Sequence, residues 1–252
     1  MTQRNSVEQD RAQQDHARHD QDHVQQSRIK QDRDRQDRAQ QNRIQQSRVE
    51  LFDRWAADYD RSVQEDGEFP FAGYEHVLTA VVECASVRPG MRVLDVGIGT
   101  GNLAERFVRA GCDVWGVDFS ANMLEKVRQR LPQVRLVQAD LTHGLPEELH
   151  AGFDRIVSAY VLHEFSLDFK VELLREMVRD GLAANGLVVI GDVGFRTVQE
   201  RHQAYLRWKK QWDEQEHYWA ADEAVDGLSR IGLQAEYKQV SICAGVMVIR
   251  RR

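Results

Sequence analysis

The sequence predicts an α/β fold: a three-layer α/β/α sandwich around a mostly parallel, seven-stranded sheet that closes with a C-terminal antiparallel hairpin. From residue 74 onward, short apolar segments alternate with amphipathic helical segments. That alternation is typical of a parallel sheet covered by helices on both faces. Near the C-terminus, two strand-like segments are separated only by Cys243-Ala244-Gly245. A link this short permits a hairpin but no crossover.

The predicted elements follow in chain order, with a helix over 74–86 that ends before Pro89-Gly90. We expect strands at 92–96, 114–117, 134–138, 155–158, 187–190, 234–242 and 246–250. We expect further helices at 102–110, 121–130, 168–183, 197–219 and 222–231.

Residues 1–48 predict a low-complexity tail, and residues 49–252 the folded domain. From Asp10 the tail repeats a pentad of the type DRAQQ, whose period matches neither a helical stripe nor a strand, so it cannot bury a continuous face. It is predicted to be disordered or a solvated helix. From Val49, Leu51, Phe52, Trp55 and Tyr59 fall at helical spacing and predict a lid helix.

Charge and composition exclude several classes of protein. Lys and Arg number 10 against 8 Asp and Glu in residues 1–49, which leaves 24 against 32 in the remainder. An acidic domain argues against a nucleic-acid partner, because that affinity comes largely from phosphate neutralisation. The three separated cysteines indicate neither a disulfide framework nor a metal site. With no apolar run of membrane-spanning length and a polar N-terminus, we expect a cytoplasmic protein without membrane attachment.

The strongest motif is VLDVGIGTGNL, at residues 93–103. An apolar strand runs into Gly97, Gly99 and Gly101, and a helix follows. Glycines let the backbone turn tightly and let a ligand approach, while the helix N-terminus offers N–H donors. Asp95 precedes the loop and can fix it or reach the ligand. A plain strand-to-helix turn is the alternative.

This motif resembles motif I of the class I S-adenosylmethionine-dependent methyltransferases, which have a Rossmann-like fold. The dinucleotide pattern Gly-x-Gly-x-x-Gly would instead need glycine at Asn102. The FDRWA segment at 52–56, the glycine loop and YVLHEF at 160–165 further resemble a group of small bacterial methyltransferases of the YrrT type. The resemblance covers about residues 50–250 and implies S-adenosyl-L-methionine as cofactor, with no metal.

Two further carboxylates follow the second and third strands. Asp118, 21 residues after Gly97, is placed to accept hydrogen bonds from both ribose hydroxyls of a nucleoside, or else to cap the next helix. The resemblance implies that Asp140 accepts a hydrogen bond from the adenine amino group; a loop-opening Asp is the alternative.

The acceptor side of the site is less defined. His163 lies beyond the fourth strand, where ligands of open α/β sheets bind, and is a candidate general base or a loop anchor. Tyr59, in the predicted lid helix, and Tyr218 are candidates to line the site. The segment lacks the Asp/Asn-Pro-Pro-aromatic signature of DNA amino-methyltransferases. We therefore expect methylation of a small molecule. A non-catalytic cofactor-binding sensor or scaffold, and a dinucleotide-dependent oxidoreductase, are the rival functions.

Overall fold

A computed structural model of the protein describes residues 68–252. Its main sheet has the strand order β3-β2-β1-β4-β5-β8-β7, and a two-residue strand, β6, pairs with the end of β5. The strands are β1 Arg92–Val96, β2 Asp113–Asp118, β3 Arg135–Gln138, β4 Phe153–Ala159, β5 Leu182–Phe195, β6 Trp219–Ala220, β7 Leu233–Gln239 and β8 Ala244–Arg251. The helices are α1 Tyr74–Ala85, α2 Asn102–Arg109, α3 Ala121–Arg130, α4 Leu167–Glu176, α5 Val198–Arg207 and α6 Ala221–Arg230.

The first five strands are parallel, and β8 is antiparallel to both β5 and β7. This arrangement confirms the predicted mostly parallel sheet with a closing hairpin. The direction in which successive strands are added to the sheet reverses between β1 and β4: β2 pairs with one side of β1, and β4 pairs with the other side. Such a switch point opens a crevice at the carboxyl ends of the strands, where ligands of open α/β sheets bind.

The core lies on both faces of the sheet. Adjacent strand residues divide between the two faces: in β1, Val93 packs with one cluster and Leu94 with the other. This follows from the two-residue period of a strand. Helices α1, α2 and α3 cover the first face, and α4 and α6 cover the second. The three layers were predicted from the apolar character of these strands.

Hydroxyl side chains start three of the helices. Ser120 accepts a hydrogen bond from the Met123 N–H at 3.1 Å, and Thr197 accepts one from the Glu200 N–H at 3.1 Å. Ser166 begins α4 in the same way. Each cap satisfies one of the N–H groups that a helix leaves without an internal partner. The caps fix where α3, α4 and α5 start at the carboxyl edge of the sheet.

The two longest predicted helices were wrong in extent, and the strand expected over 234–242 ends at Gln239. The long helix expected over 197–219 ends at Arg207, because Trp208 and Trp212 stack on Phe69 and an Asp213 turn follows. The helix expected over 168–183 gives way to a π-helical turn after Glu176, and β5 already begins at Leu182. Pairing with β4 on one side and β8 on the other extends β5 well beyond its apolar centre.

Within the part of the chain that the structure describes, no helix is both long and apolar enough to cross a membrane. The pentad tail and the predicted lid helix with Tyr59 lie outside the described residues.

Candidate cofactor cleft and acceptor compartment

A narrow cleft of about 20 Å³, partly open to solvent, lies at the carboxyl end of β1. Gly97, Gly99 and Gly101 all have positive φ, at 70°, 53° and 88°, a conformation that glycine adopts without the cost of a Cβ. A Cβ at Gly99 would meet no atom within 4 Å, so this glycine faces open space. The cleft is lined by Tyr74, Asp95, Gly97, Ile98, Gly99, Thr100, Asn102, Leu103 and Ala159. Three of the predicted cofactor residues, Asp95, Gly97 and Gly99, therefore lie together.

The glycine loop is held against β2 by hydrogen bonds. The Gly97 and Ile98 N–H groups both donate to the Val117 carbonyl, at 2.8 and 3.0 Å. The buried Asp118 carboxylate accepts from the Gly99 N–H at 2.9 Å and from the Ser120 N–H at 2.9 Å. Asp118 thus organises the loop in the protein itself, in addition to the ligand role that its position predicts.

Asp95 is buried at the base of the cleft, and its Oδ2 has no hydrogen-bond partner. Burial, together with the nearby Asp118 charge, raises the pKa of Asp95 from 3.8 to about 8. Unpaired buried polar atoms are costly and call for an explanation such as a bound ligand. A ligand that carries donors or positive charge would relieve this cost.

Asp140 lies where the chain leaves β3, and its Oδ1 accepts hydrogen bonds from the Thr142 N–H at 2.8 Å and the Thr142 hydroxyl at 2.7 Å. The carboxylate therefore caps a short 3-10 turn, as in the loop-opening alternative. The adenine role remains a prediction.

His163 is a buried residue of the connection between β4 and α4, and Asp192 on β5 is its main partner. The Asp192 carboxylate accepts from the His163 N–H at 2.9 Å and lies 2.6 Å from His163 Nδ1. Burial alone would lower the pKa of His163, but the charge and hydrogen bond of Asp192, with Glu216 and Glu164, raise it from 6.5 to about 9. The imidazole therefore holds its proton near neutral pH. This arrangement favours the loop-anchor alternative over a general base, although the catalytic role remains a prediction.

A second cavity, of about 310 Å³, opens at the same edge of the sheet, next to His163. Glu216 and Tyr218, which line it, lie 3.7 Å (His163 Nε2 to Glu216 Oε1) and 6.2 Å (between ring centroids) from that imidazole. Burial raises the pKa of Glu216 despite the opposing charge of His163. The cavity is lined by Leu167, Lys170, Arg201, Trp212, Glu216, His217, Tyr218, Trp219 and Glu223. Its volume falls in the range of small-molecule sites.

Two cations hold the wall of this cavity. Buried Lys170 donates to the His217 carbonyl and lies 4.2 Å above the Trp219 ring. Burial lowers the pKa of Lys170 to about 8. Arg201 donates to the Tyr218 carbonyl at 2.9 Å and pairs with Glu223. Both cations thus stabilise the irregular segment between α5 and β6.

Sequence reasoning missed several residues of this region, among them Asp192, Lys170 and Glu216. Asp192 had a recognisable signal, since it directly follows the apolar run LVVIG, as Asp118 follows its own strand. Its carboxylate also accepts from the Val193 N–H at 2.8 Å and the Trp219 Nε1–H at 3.2 Å. Lys170 and Glu216 had none, because their surroundings come from elements distant in the chain.

Comparison with known proteins shows the family of this chain. Residues 93–181 match the family model of a methyltransferase domain. An uncharacterized methyltransferase of Geobacillus kaustophilus is 31% identical over 211 residues, covering 79% of this chain and 94% of the relative. The uncharacterized methyltransferase YrrT of Bacillus subtilis is 28% identical over 215 residues, covering 81% and 98%.

A solved structure agrees on the fold. Magnesium protoporphyrin IX methyltransferase from Synechocystis, with S-adenosylhomocysteine bound, superposes with a TM-score of 0.61 at 16% identity. The match covers 82% of this chain and all of that one. The predicted resemblance is thereby confirmed.

Proposed function

The chain belongs to the class I S-adenosylmethionine-dependent methyltransferases, and on that premise we propose that it methylates a small molecule in the cavity beside His163. The cavity is the observation that carries this proposal. It lies at the carboxyl edge of the sheet, has a volume in the range of small-molecule sites, and is lined by aromatic rings and by four charged side chains. The magnesium protoporphyrin IX methyltransferase of the same fold likewise acts on a small molecule.

The cleft after β1 fits S-adenosylmethionine on two structural grounds. Gly99 leaves open the space that a side chain would fill, and the unpaired Asp95 Oδ2 can accept a hydrogen bond from a ligand. We assign cofactor binding to Asp95, Asp118 and the glycine loop, and retain Asp140 and Tyr59 as proposed adenine and lid contacts. When bound, the cofactor supplies a methyl group on a sulfonium, which is already an activated leaving group.

The protein's own contribution is mainly to position the acceptor. The β4 end separates the two sites: Ala159 faces the cleft, and His163 contacts residues of the cavity wall. Asp192 fixes the His163 ring and backbone, so the connection after β4 has one orientation. Holding two reactants in a fixed geometry can supply much of a rate enhancement. Two carboxylates line the cavity, and because Glu223 pairs with Arg201, Glu216 is the one placed to contact an acceptor that must lose a proton.

Methyl-labelled S-adenosylmethionine, incubated with the full-length protein and a bacterial cell extract, tests the proposal. Label is expected in the low-molecular-mass fraction and should disappear when excess S-adenosylhomocysteine competes. Label confined to protein or nucleic acid would refute a small-molecule acceptor. Absence of transfer, with intact S-adenosylhomocysteine binding, would instead support the non-catalytic rival.

A further inference from the structure

The hydroxyl of Tyr160, the first residue after β4, is buried and has no hydrogen-bond partner. Among the described residues, two other buried side-chain polar atoms share this property, Asp95 Oδ2 and Trp115 Nε1. Asp95 belongs to the cofactor cleft, and Trp115 lies in the middle of β2, packed beside Arg92 and Arg135. Tyr160 is therefore the unsatisfied group that lies at the carboxyl edge and outside the cofactor cleft.

The backbone of Tyr160 is also unusual. Its φ is 57°, a left-handed conformation that is a genuine outlier for a bulky residue. Its N–H donates to the Gly191 carbonyl at 2.9 Å, which ties this conformation to β5. Strained residues persist where the surroundings determine them, and they cluster at ligand sites. The strain and the unpaired hydroxyl are two independent costs at one residue.

The ring of Tyr160 packs beside the cofactor cleft. Its centroid lies 5.1 Å from that of Tyr74, which lines the cofactor cleft, and 5.5 Å from that of Phe71. The hydroxyl lies within electrostatic range of Asp192, which holds His163, and of Cys243. Burial raises the pKa of this phenol further above its ordinary value of 10, so the hydroxyl keeps its proton and can donate. Phenylalanine would serve packing as well without the unsatisfied group.

We propose that the Tyr160 hydroxyl donates a hydrogen bond to the methyl acceptor, at an oxygen or nitrogen lone pair near the atom that is methylated. The inference rests on the proposed function and narrows the acceptor to molecules that carry such a lone pair beside their nucleophile. Tyr160 would then orient the acceptor between the cofactor cleft and the cavity beside His163. Asp192 holds the backbone and ring of His163, and its charge lies within electrostatic range of the Tyr160 hydroxyl.

The Tyr160→Phe variant removes the hydroxyl alone. Tyr237→Phe is its matched control, because the Tyr237 hydroxyl donates to Gln239 Oε1 at 3.1 Å and is already satisfied. Each full-length protein is measured in three ways: urea unfolding, calorimetric titration with S-adenosylhomocysteine, and transfer of label from S-adenosylmethionine to serial dilutions of one cell extract.

For Tyr160→Phe, the urea midpoint should not fall below that of wild type, and the affinity for S-adenosylhomocysteine should stay within about twofold of the wild-type value. The rate of methyl transfer should be about tenfold lower than that of wild type at the highest dilution, as expected for one lost hydrogen bond to a ligand. Tyr237→Phe should lose stability and keep its transfer rate. Equal rates for Tyr160→Phe and wild type at every dilution would overturn the proposal, as would a lower rate accompanied by a lower midpoint.

The two proposals fail in different ways. If label enters only the macromolecular fraction, the small-molecule acceptor is refuted, and the rate ratio between Tyr160→Phe and wild type in that fraction still decides the role of Tyr160. If wild type labels neither fraction, both proposals are overturned.

Discussion

Replacing Asp95 by asparagine should make the protein without cofactor more stable at high pH. Asp95 is buried, its Oδ2 lacks a partner, and its pKa is raised to about 8 by burial and by the charge of Asp118. Below that pH the folded protein keeps the proton on this carboxyl. The unfolded chain has already released it, because the ordinary pKa is 3.8.

The sign and the size of the effect follow from this difference. Between about pH 5 and pH 8 the unfolded state binds fewer protons than the folded state, so the free energy of unfolding falls as pH rises. Each pKa unit corresponds to about 1.4 kcal/mol, so Asp95 alone lowers stability by about 4 kcal/mol across this interval. Asparagine stays neutral and avoids the loss. The advantage of Asp95→Asn over wild type should therefore grow by that amount.

Urea unfolding at several pH values measures this prediction directly. Asp113→Asn is the matched control, because Asp113 is partly exposed and pairs with Arg135 at the strand edge. Its curve should run parallel to that of wild type. If the Asp95→Asn and wild-type curves are parallel from pH 5 to pH 8, Asp95 is ionised in the folded protein and the reasoning from its burial fails. Calorimetry with S-adenosylhomocysteine should show weaker binding by the variant, if Asp95 contacts the cofactor.

Three further predictions concern Asp118, His163 and the tail. Asp118→Ala should lower the free energy of unfolding by about 3–6 kcal/mol, because the Gly99 and Ser120 N–H groups both lose a charged acceptor. The variant should also bind S-adenosylhomocysteine more weakly in calorimetry. Unchanged affinity would mean that Asp118 does not belong to the cofactor site. His163→Ala leaves Asp192 buried without its partner imidazolium, so the free energy of unfolding should fall by about 3–5 kcal/mol below about pH 6.5. This loss should shrink as the pH rises through about 9, because the wild-type protein itself loses the imidazolium there. Normal stability with turnover reduced roughly 10²-fold would instead identify a general base. Deleting residues 1–46 should change neither the melting temperature nor cofactor affinity, because the pentads contain too few apolar residues to offset the entropy of ordering them; slow hydrogen exchange across residues 10–45 would contradict this.

The sheet was predictable from sequence because its strands are short, apolar and separated by helices. Apart from Val134, the residues of β1 through β4 that were expected to be strands are strands. The hairpin was also predicted, but its turn lies at 240–243 and not at 243–245, because Ala244 and Gly245 already pair with β5. The segment after Arg207 was not predictable by periodicity. Its tryptophans repeat at helical spacing, yet they pack on Phe69, and Lys170 and Arg201 bind its carbonyls. Such tertiary contacts override local propensity.

The cofactor cleft was more predictable than the acceptor compartment for a related reason. Glycine conformations and strand-end carboxylates leave a local pattern, and Asp95, Gly97 and Gly99 do lie together. The surroundings of His163 come instead from distant parts of the chain. Asp192 on β5 follows it by 29 residues, and Glu216 in the segment before β6 follows it by 53. A histidine in YVLHEF reads as a candidate base, whereas Asp192 makes it a buried cation.

The way in which residues 208–218 are attached has a consequence for how this protein can evolve. Lys170 and Arg201 are supplied by α4 and α5, and they bind main-chain carbonyls, which every amino acid carries. Apart from Trp208, Trp212 and Tyr218, which pack on Phe69, side chains in the segment can therefore change without loss of these two anchors, and insertions before His217 need not disturb either cation. The cofactor cleft lies on other elements and shares none of these residues. Variation in a loop that is fastened by its backbone can redirect the choice of acceptor while the methyl-donor machinery stays constant.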